Sequence, residues 1–356
     1  MNDKVNRKVL KASLICAAVL IGCLALLGVF ELCVKGLENR LTFLDAGKRW
    51  SASGERYAVI TLYCEKEAGV AADQVGQWAY SMDAALLQSS VTPSENGRSW
   101  AYCYGTETAV TAVGPKGSAS AETLAVGGDF FVFHPLSFPF GSPFLNDNTN
   151  PNGVVLDRNL AWKLFGAENV VGMEMTINDV DFTVVGITGP ESGNRVYKTT
   201  YGDSPRMYMS FAGYEKVMGA GCPVTLFEAA LPNAVKSFAL GIFNSAVSVS
   251  EEAAVVTEAT DRFSLTNRFR NMQSLSYSWI RPNTIELPYW ENEARVCDYR
   301  AAVMMIFEVA LAAVGGASLL LSIILLRFSG YSLIDTVKNT AGKLGGKKKT
   351  KRNRRH

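Results

Sequence analysis

Apolar and polar positions follow different rhythms along this chain, and each rhythm predicts a different kind of element. Residues 12–30 carry no charged side chain, and residues 301–326 carry only Glu308. Both runs reach the roughly 18 to 20 residues that a helix needs to cross a bilayer. Between them, YAVITLYC (57–64) is rich in β-formers and reads as a buried strand. Val75, Trp78, Ala79, Met82 and Leu86 then recur at helical offsets, the stripe of a packed helix. SWAYCYG (99–105) reads as a further strand. The same order returns later in the chain. VTLFEAAL (224–231) is the strand, and Asn233 is placed to cap a helix carrying Val235, Phe238, Ala239, Ile242 and Ala246. AAVVTEA (253–259) closes the unit. Two β-α-β units predict an α+β fold, a split, ferredoxin-like layer with its helices on one face.

The stretch between the units has another texture. TAVTAVG, ETLAVGGDFF and GVVLD read as strands, and MEMTI and VDFTVV alternate around Asn178-Asp179, a hairpin signal. Asp157 to Gly166 reads as a short helix with Asp157 at its N-cap and Gly166 at its end. The expected organisation begins with an N-terminal segment (1–11), a first membrane helix (12–34) and a stalk (35–56). A first β-α-β unit (57–105), an inserted β-rich subdomain (106–222) and a second β-α-β unit (223–265) follow. A juxtamembrane segment (266–300), a second membrane helix (301–326) and a basic tail (327–356) complete it.

Charge changes this picture from a list of elements to a topology. The formal net charge of the 356 residues is only +2. Residues 1–11 nevertheless hold four basic groups and one acid, and residues 327–356 hold ten basic groups and one acid. Residues 35–300 hold 21 basic and 29 acidic groups. Lys and Arg gather on cytoplasmic flanks, so both termini are expected inside and residues 35–300 outside an inner or plasma membrane. The first run reads as an uncleaved anchor. Its core exceeds the roughly 7 to 15 residues of a signal peptide, and no small-x-small site follows Glu31. No N-x-S/T sequon occurs in 35–300, which favours a bacterial surface. Four cysteines fall outside and allow three pairings. Cys64–Cys103 is the favoured disulfide candidate because both lie on strands expected to be neighbours. No cysteine spacing resembles a zinc site.

Residues of the middle region carry a family resemblance. AVGGDFF (125–131), GVVLDRNLAWKLFGAENVVGMEMTINDVDFTVVGITG (153–189) and PRMYMS (205–210) resemble the extracytoplasmic core of MacB/FtsX-type ABC transporter permeases, the MacB-like periplasmic core domain. The resemblance implies a porter-like domain with an inserted subdomain, held by membrane helices, that binds a partner or substrate. It also implies coupling to an ABC ATPase and further membrane subunits supplied by other chains, with a homo-oligomer among the options. Members of this family usually have four membrane helices, whereas two spans are read here. The segment after the second span keeps Arg327 but no Arg-Glu-Ile-Gly coupling run. No Walker A motif occurs in the chain, so it does not power transport itself. The competing reading is a non-transport tethered sensor, scaffold or regulator of envelope proteins.

Candidate chemistry is sparse. No catalytic residue and no cofactor are expected. His134, in an aromatic loop, reads as a turn or packing residue. Gly202-Asp203-Ser204-Pro205 only faintly resembles a serine-hydrolase block, with no external histidine after it. Asn146 to Gly153 fails the calcium-loop pattern, because the twelfth position from Asn148 is Asn159. Glu308 and Arg327 are candidate intramembrane polar or coupling residues; Glu308 sits by its position either near the outer interface or paired with a basic group or a partner helix. Trp279, Tyr289 and Trp290 suit the outer headgroup level, a partner, or the underside of the domain itself. Ala18, Gly22 and Ala25 in the first span, and Ala312/Gly316 with Ala313/Ala317 in the second, form small-residue faces expected to pack membrane helices. The basic tail reads as a topology determinant at the inner leaflet, with no specific nucleic-acid role.

Overall fold

Local periodicity is carried directly into the regular elements of the computed structural model, which describes residues 2–51, 55–91, 97–144, 151–189, 199–275 and 285–328. In chain order the helices are α1 (Asn2–Glu38), α2 (Ala46–Trp50), α3 (Ala72–Gln88), α4 (Phe130–Phe133), α5 (Arg158–Phe165), α6 (Phe211–Met218), α7 (Phe238–Ala246), α8 (Leu265–Gln273) and α9 (Tyr289–Phe328). The strands are β1 (Tyr57–Cys64), β2 (Ala101–Gly114), β3 (Gly117–Gly128), β4 (Phe140–Gly141), β5 (Gly153–Asp157), β6 (Glu174–Ile177), β7 (Val180–Thr188), β8 (Arg206–Ser210), β9 (Leu226–Pro232) and β10 (Ala254–Glu258). The chain divides into two compact units, Leu37–Ala302 and Met1–Gly36 with Val303–His356.

In the larger unit both β-α-β units are split. Strand order at one end of the sheet is β10-β1-β9-β2 with every pairing antiparallel, so β9 lies between β1 and β2, and β1 lies between β9 and β10. This is the ferredoxin-like layer. Ala58, Ile60, Leu62 and Cys64 point to the face covered by Val75, Trp78, Ala79, Met82 and Leu86 of α3. Ala239, Ile242 and Phe243 of α7 complete that core. α7 begins later than its apolar spacing implied. Ser237 takes a left-handed turn at φ 66°, which leaves Val235 outside the helix and 70 % exposed. Asn233 still accepts from Ala239 N at 3.3 Å.

The split arrangement removes the expected disulfide. Cys64 and Cys103 are two strands apart, roughly 10 Å across the sheet before their offset along the strands is added, against the 4.4 to 6.8 Å between Cα atoms that a disulfide needs. They also face opposite sides of the sheet. Both are free thiols: Cys64 donates to Val224 O, and Cys103 donates to Glu228 Oε2.

The β-rich segment between the two units continues the same sheet. β2 runs on past Gly105 and turns back into β3, and the order continues β3-β8-β5-β7-β4, with β6 joining β2 and β7. Asp157 caps α5 through a bond from Leu160 N, and Gly166 ends it at φ 77°. The hairpin between β6 and β7 turns on Asn178 and Asp179 at φ 45° and 63°, the positive angles that a tight two-residue turn requires.

In the smaller unit α1 and α9 run antiparallel. Ser13 Oγ lies 3.0 Å from Ser322 Oγ, and the Phe30 and Phe307 rings stack at 6.1 Å. A Cβ on Gly315 would sit 3.4 Å from Cys23 Cβ, so this glycine marks the close approach. Between α1 and α9 the small-residue faces are not the ones in contact. Ala18, Gly22, Ala25, Ala312, Ala313, Gly316 and Ala317 are exposed. The seam falls instead on Ser13, Cys16 and Cys23, because the face is set by where the partner helix approaches and not by residue size alone. Two helices, Lys8–Glu38 and Tyr289–Arg327, are long and apolar enough to cross a membrane. Leu14, Ile21, Leu32, Leu320 and Ile323 are exposed on them, an outward apolar surface that suits lipid.

Candidate functional site

Alternation along β1, β9 and β2 sends every second side chain to the sheet face opposite α3 and α7. On that face Thr61, Glu228 and Cys103 stand in one row, since Thr61 pairs with Glu228 and Glu228 with Cys103 in register. Thr61, Glu228 and Cys103 are buried, Glu228 completely at 0 % exposure. A buried carboxylate is costly unless its oxygens are satisfied. Here Oε1 accepts from Thr61 Oγ1 at 3.2 Å, Oε2 accepts from Cys103 Sγ at 3.3 Å, and His134 Nε2 lies 2.5 Å from Oε2. Burial first, and then the Glu228 charge, push the Cys103 thiol well above its ordinary value, which keeps it protonated and donating.

His134 reaches this row through a local sequence of constraints. Gly128 adopts φ 69°, where an added Cβ would lie 2.4 Å from Tyr102 O. The next residue, Asp129, is gripped by both Arg98 terminal nitrogens at 2.8 and 2.9 Å. α4 follows, and Arg49 donates to Val132 O at 2.7 Å and Phe133 O at 2.8 Å, which seals the end of the turn. The imidazole then stacks on Phe130 at 4.7 Å and lies 4.2 Å from the Trp290 ring.

A second polar cluster adjoins the first through Tyr63, two residues along β1 from Thr61. Tyr63 OH lies 3.5 Å from Glu291 Oε2. Arg262, in the turn after β10, donates two bonds to Glu291 at 2.8 and 2.9 Å and one from Nε to Asp298 at 2.8 Å. Arg295 adds a contact to Glu291 at 3.3 Å. Two cations thus meet two carboxylates. Burial by itself would lower the Arg262 pKa, but Glu291 and Asp298 outweigh it and hold the guanidinium well above its ordinary value. Burial, then Glu291, likewise pushes the Tyr63 hydroxyl well above its usual range. Together the two clusters fasten the first turns of α9 to the sheet.

On another side of the larger unit lies a cleft of about 430 Å³ whose walls include Glu65, Lys66, Glu67, Thr106, Glu107 and Glu286. Glu107 is held by Arg206 at 2.7 Å, and the Arg206 guanidinium also lies over the Tyr201 and Tyr289 rings at 4.4 and 4.8 Å. The Glu67 and Glu286 carboxylates make the cleft suited to cationic groups.

Of the three places expected for Tyr289 and Trp290, a headgroup level, a partner surface or the underside of their own domain, they take the last and are buried there. They belong to the layer just described because their rings fill the space around His134 and Arg206. Trp279 lies outside the described residues, as does most of the loop 146–153 and the tail from residue 329 onward. Glu308 is buried at 5 % exposure, whereas Arg327 is exposed near the end of α9. Sequence reasoning missed Glu228, Arg262, Glu291 and Asp298. One signal was present: an acid in the otherwise apolar run VTLFEAAL has to be buried with a partner.

Comparison with known proteins gives a family. The model of the MacB-like periplasmic core domain matches residues 56–261. The periplasmic region of MacB from Actinobacillus actinomycetemcomitans is similar at 14 % identity, covering 56 % of this chain and 88 % of that one, with a TM-score of 0.39. The extracellular domain of the noncanonic ABC-type transporter YknZ from Gram-positive bacteria is similar at 12 % identity, covering 56 % and 99 %, with a TM-score of 0.39. A domain of a putative permease protein from Porphyromonas gingivalis is similar at 11 % identity, covering 57 % and 89 %, with a TM-score of 0.33. No curated protein matches. Two apolar helices on either side of a periplasmic-type domain make this a membrane protein with an extracytoplasmic segment. Because the family model spans more than half of its residues, the chain belongs to the MacB-like periplasmic core domain family.

Proposed function

We propose that this chain is a membrane-anchored, MacB/FtsX-like ABC permease-type subunit that catalyses no reaction itself. Both termini are cytoplasmic and residues 35–300 extracytoplasmic. The outer domain binds a partner or substrate, with the acidic cleft beside Glu67 and Glu286 as its docking place. The binding event is passed through the membrane helices to other membrane subunits and an ABC ATPase, as transport or as mechanical signalling. Family membership and the charge asymmetry of the sequence support this reading.

One observation carries it. The first turns of α9 are locked to the ferredoxin-like sheet by Arg262, Glu291, Asp298 and the Trp290–His134 contact, and the same helix continues as an apolar span. A buried, charged contact of this kind repacks between a few discrete arrangements, which is what a transmitting element needs. Small-residue faces left exposed on both apolar helices offer close approach to helices of other subunits.

The test is affinity capture of the full chain after mild detergent extraction. Recovery of an ABC ATPase is expected. Reproducible absence of one, with an envelope hydrolase or signalling protein recovered in its place, sinks the proposal in favour of a tethered regulator. Topology is checked with a cysteine introduced into the basic tail: labelling by an impermeant reagent on intact cells overturns the inside placement.

A further inference from the structure

Cys103 on β2, His134 after α4 and Glu228 on β9 are far apart in sequence. The fold brings a sulfur, an imidazole nitrogen and a carboxylate oxygen within 4.8 Å of one another, all buried. These are the donor types that zinc-like ions select. We propose that Cys103 Sγ, His134 Nε2 and Glu228 Oε2 bind one divalent transition-metal ion, with Zn²⁺ as the fitting species.

Charge is the first reason. A thiolate, a carboxylate and a neutral imidazole cancel a divalent cation, so the loaded site holds no net charge in a dry interior. Geometry is the second. Metal distances of about 2.3 Å to sulfur and 2.0 to 2.2 Å to nitrogen and oxygen place ligand atoms roughly 3.3 to 3.6 Å apart in a tetrahedral site. Cys103 Sγ and Glu228 Oε2 already stand at 3.3 Å, and His134 Nε2, at 2.5 Å from the same oxygen, has to withdraw by about 1 Å. A cavity of about 30 Å³ bordered by His134, Trp290 and Glu293 leaves space for that movement. Thr61, bonded to the other carboxylate oxygen at 3.2 Å, orients Glu228 from behind.

Binding releases one proton, from the Cys103 thiol to solvent. Metal-free, the neutral His134 imidazole donates its Nε2 proton to Glu228 Oε2; on binding, that proton moves to Nδ1, so that the Nε2 lone pair faces the ion. Metal-free, the same atoms satisfy one another by hydrogen bonds, so both forms of the site are stable. The ion would join β2, β9 and the α4 loop, and with them the layer under α9.

Full chain in detergent, stripped of metal, is titrated with Co²⁺ and followed by absorption. Expected are a thiolate-to-cobalt charge-transfer band and tetrahedral d–d bands, saturating at one equivalent and abolished by Zn²⁺. Cys103→Ser should lose the charge-transfer band while its far-ultraviolet dichroism stays that of the parent, and Glu228→Gln should weaken Zn²⁺ binding at least about tenfold. No band in the parent protein, or an unchanged band in Cys103→Ser, overturns the proposal. Should the variants not fold, zinc-edge X-ray absorption on the parent decides. One sulfur neighbour at about 2.3 Å supports the site, and a purely nitrogen and oxygen shell refutes it.

Discussion

Replacing Arg262 by Met removes the cation from the centre of the buried ionic cluster while keeping a side chain of similar reach. Glu291, 1 % exposed, then retains only Arg295 at 3.3 Å and the Tyr63 hydroxyl at 3.5 Å, and Asp298 loses its bond from Arg262 Nε. Deleting one partner of a buried pair costs about 3–5 kcal/mol, because the other charges stay desolvated without compensation. For a unit of this size each kcal/mol lowers the melting temperature by about 2–4 °C, so Arg262→Met should melt about 6–20 °C below the parent. The assay is thermal unfolding of the full chain in detergent, read through tryptophan fluorescence, since Trp290 adjoins the cluster. Salt should change the difference little, because a buried pair is poorly screened. The triple variant Arg262→Met/Glu291→Leu/Asp298→Leu removes the stranded charges and should recover most of the loss. A deficit below about 1 kcal/mol for the single variant, the range of an exposed pair, would refute the reasoning. So would a triple variant no more stable than the single.

Other expectations follow from single contacts. Burial raises the Cys64 thiol from 9.0 to about 11, so the folded state holds this proton more tightly than the unfolded chain. The associated stability is whole below pH 9 and is lost as pH rises toward 11, by about 2 kcal/mol, and Cys64→Ala should flatten that alkaline slope in urea titrations. Asp157→Ala removes an acceptor for both Leu160 N at 2.6 Å and Arg206 N at 2.9 Å and should cost about 2–3 kcal/mol in denaturant midpoint. Asp157→Asn, which keeps the cap but turns an amide toward Arg206 N, should fall between. Gly128→Ala meets both the left-handed φ and the Tyr102 carbonyl and should cost about 1–3 kcal/mol. Gly69→Ala, also left-handed but with open space around it, should cost only about 1 kcal/mol by the same measurement.

Elements defined by neighbours along the chain were legible before the fold. The stripe from Val75 to Leu86, the cap and stop at Asp157 and Gly166, and the Asn178-Asp179 turn all appear as expected. In each, the physics acts over a few residues. The small-residue faces do not form the seam between α1 and α9, because the meeting of two helices depends on the rotation at which they touch, which Ala and Gly do not specify alone. The disulfide failed for a similar reason: β-formers announce strands but not which strand lies between two others.

By itself the sequence determined two apolar helices, a charge pattern that separates a basic from an acidic side, and the repeated strand–helix–strand grammar. Those properties come from composition and short-range periodicity. Only the tertiary structure decided that β9 enters between β1 and β2, and that choice places Glu228 beside Thr61 and Cys103. It likewise decided that His134, Arg262 and Trp290 converge there from segments some 30 to 160 residues apart. Strand order is settled by which apolar faces can be buried together. The polar residues between those faces are then carried into contact and have to satisfy one another.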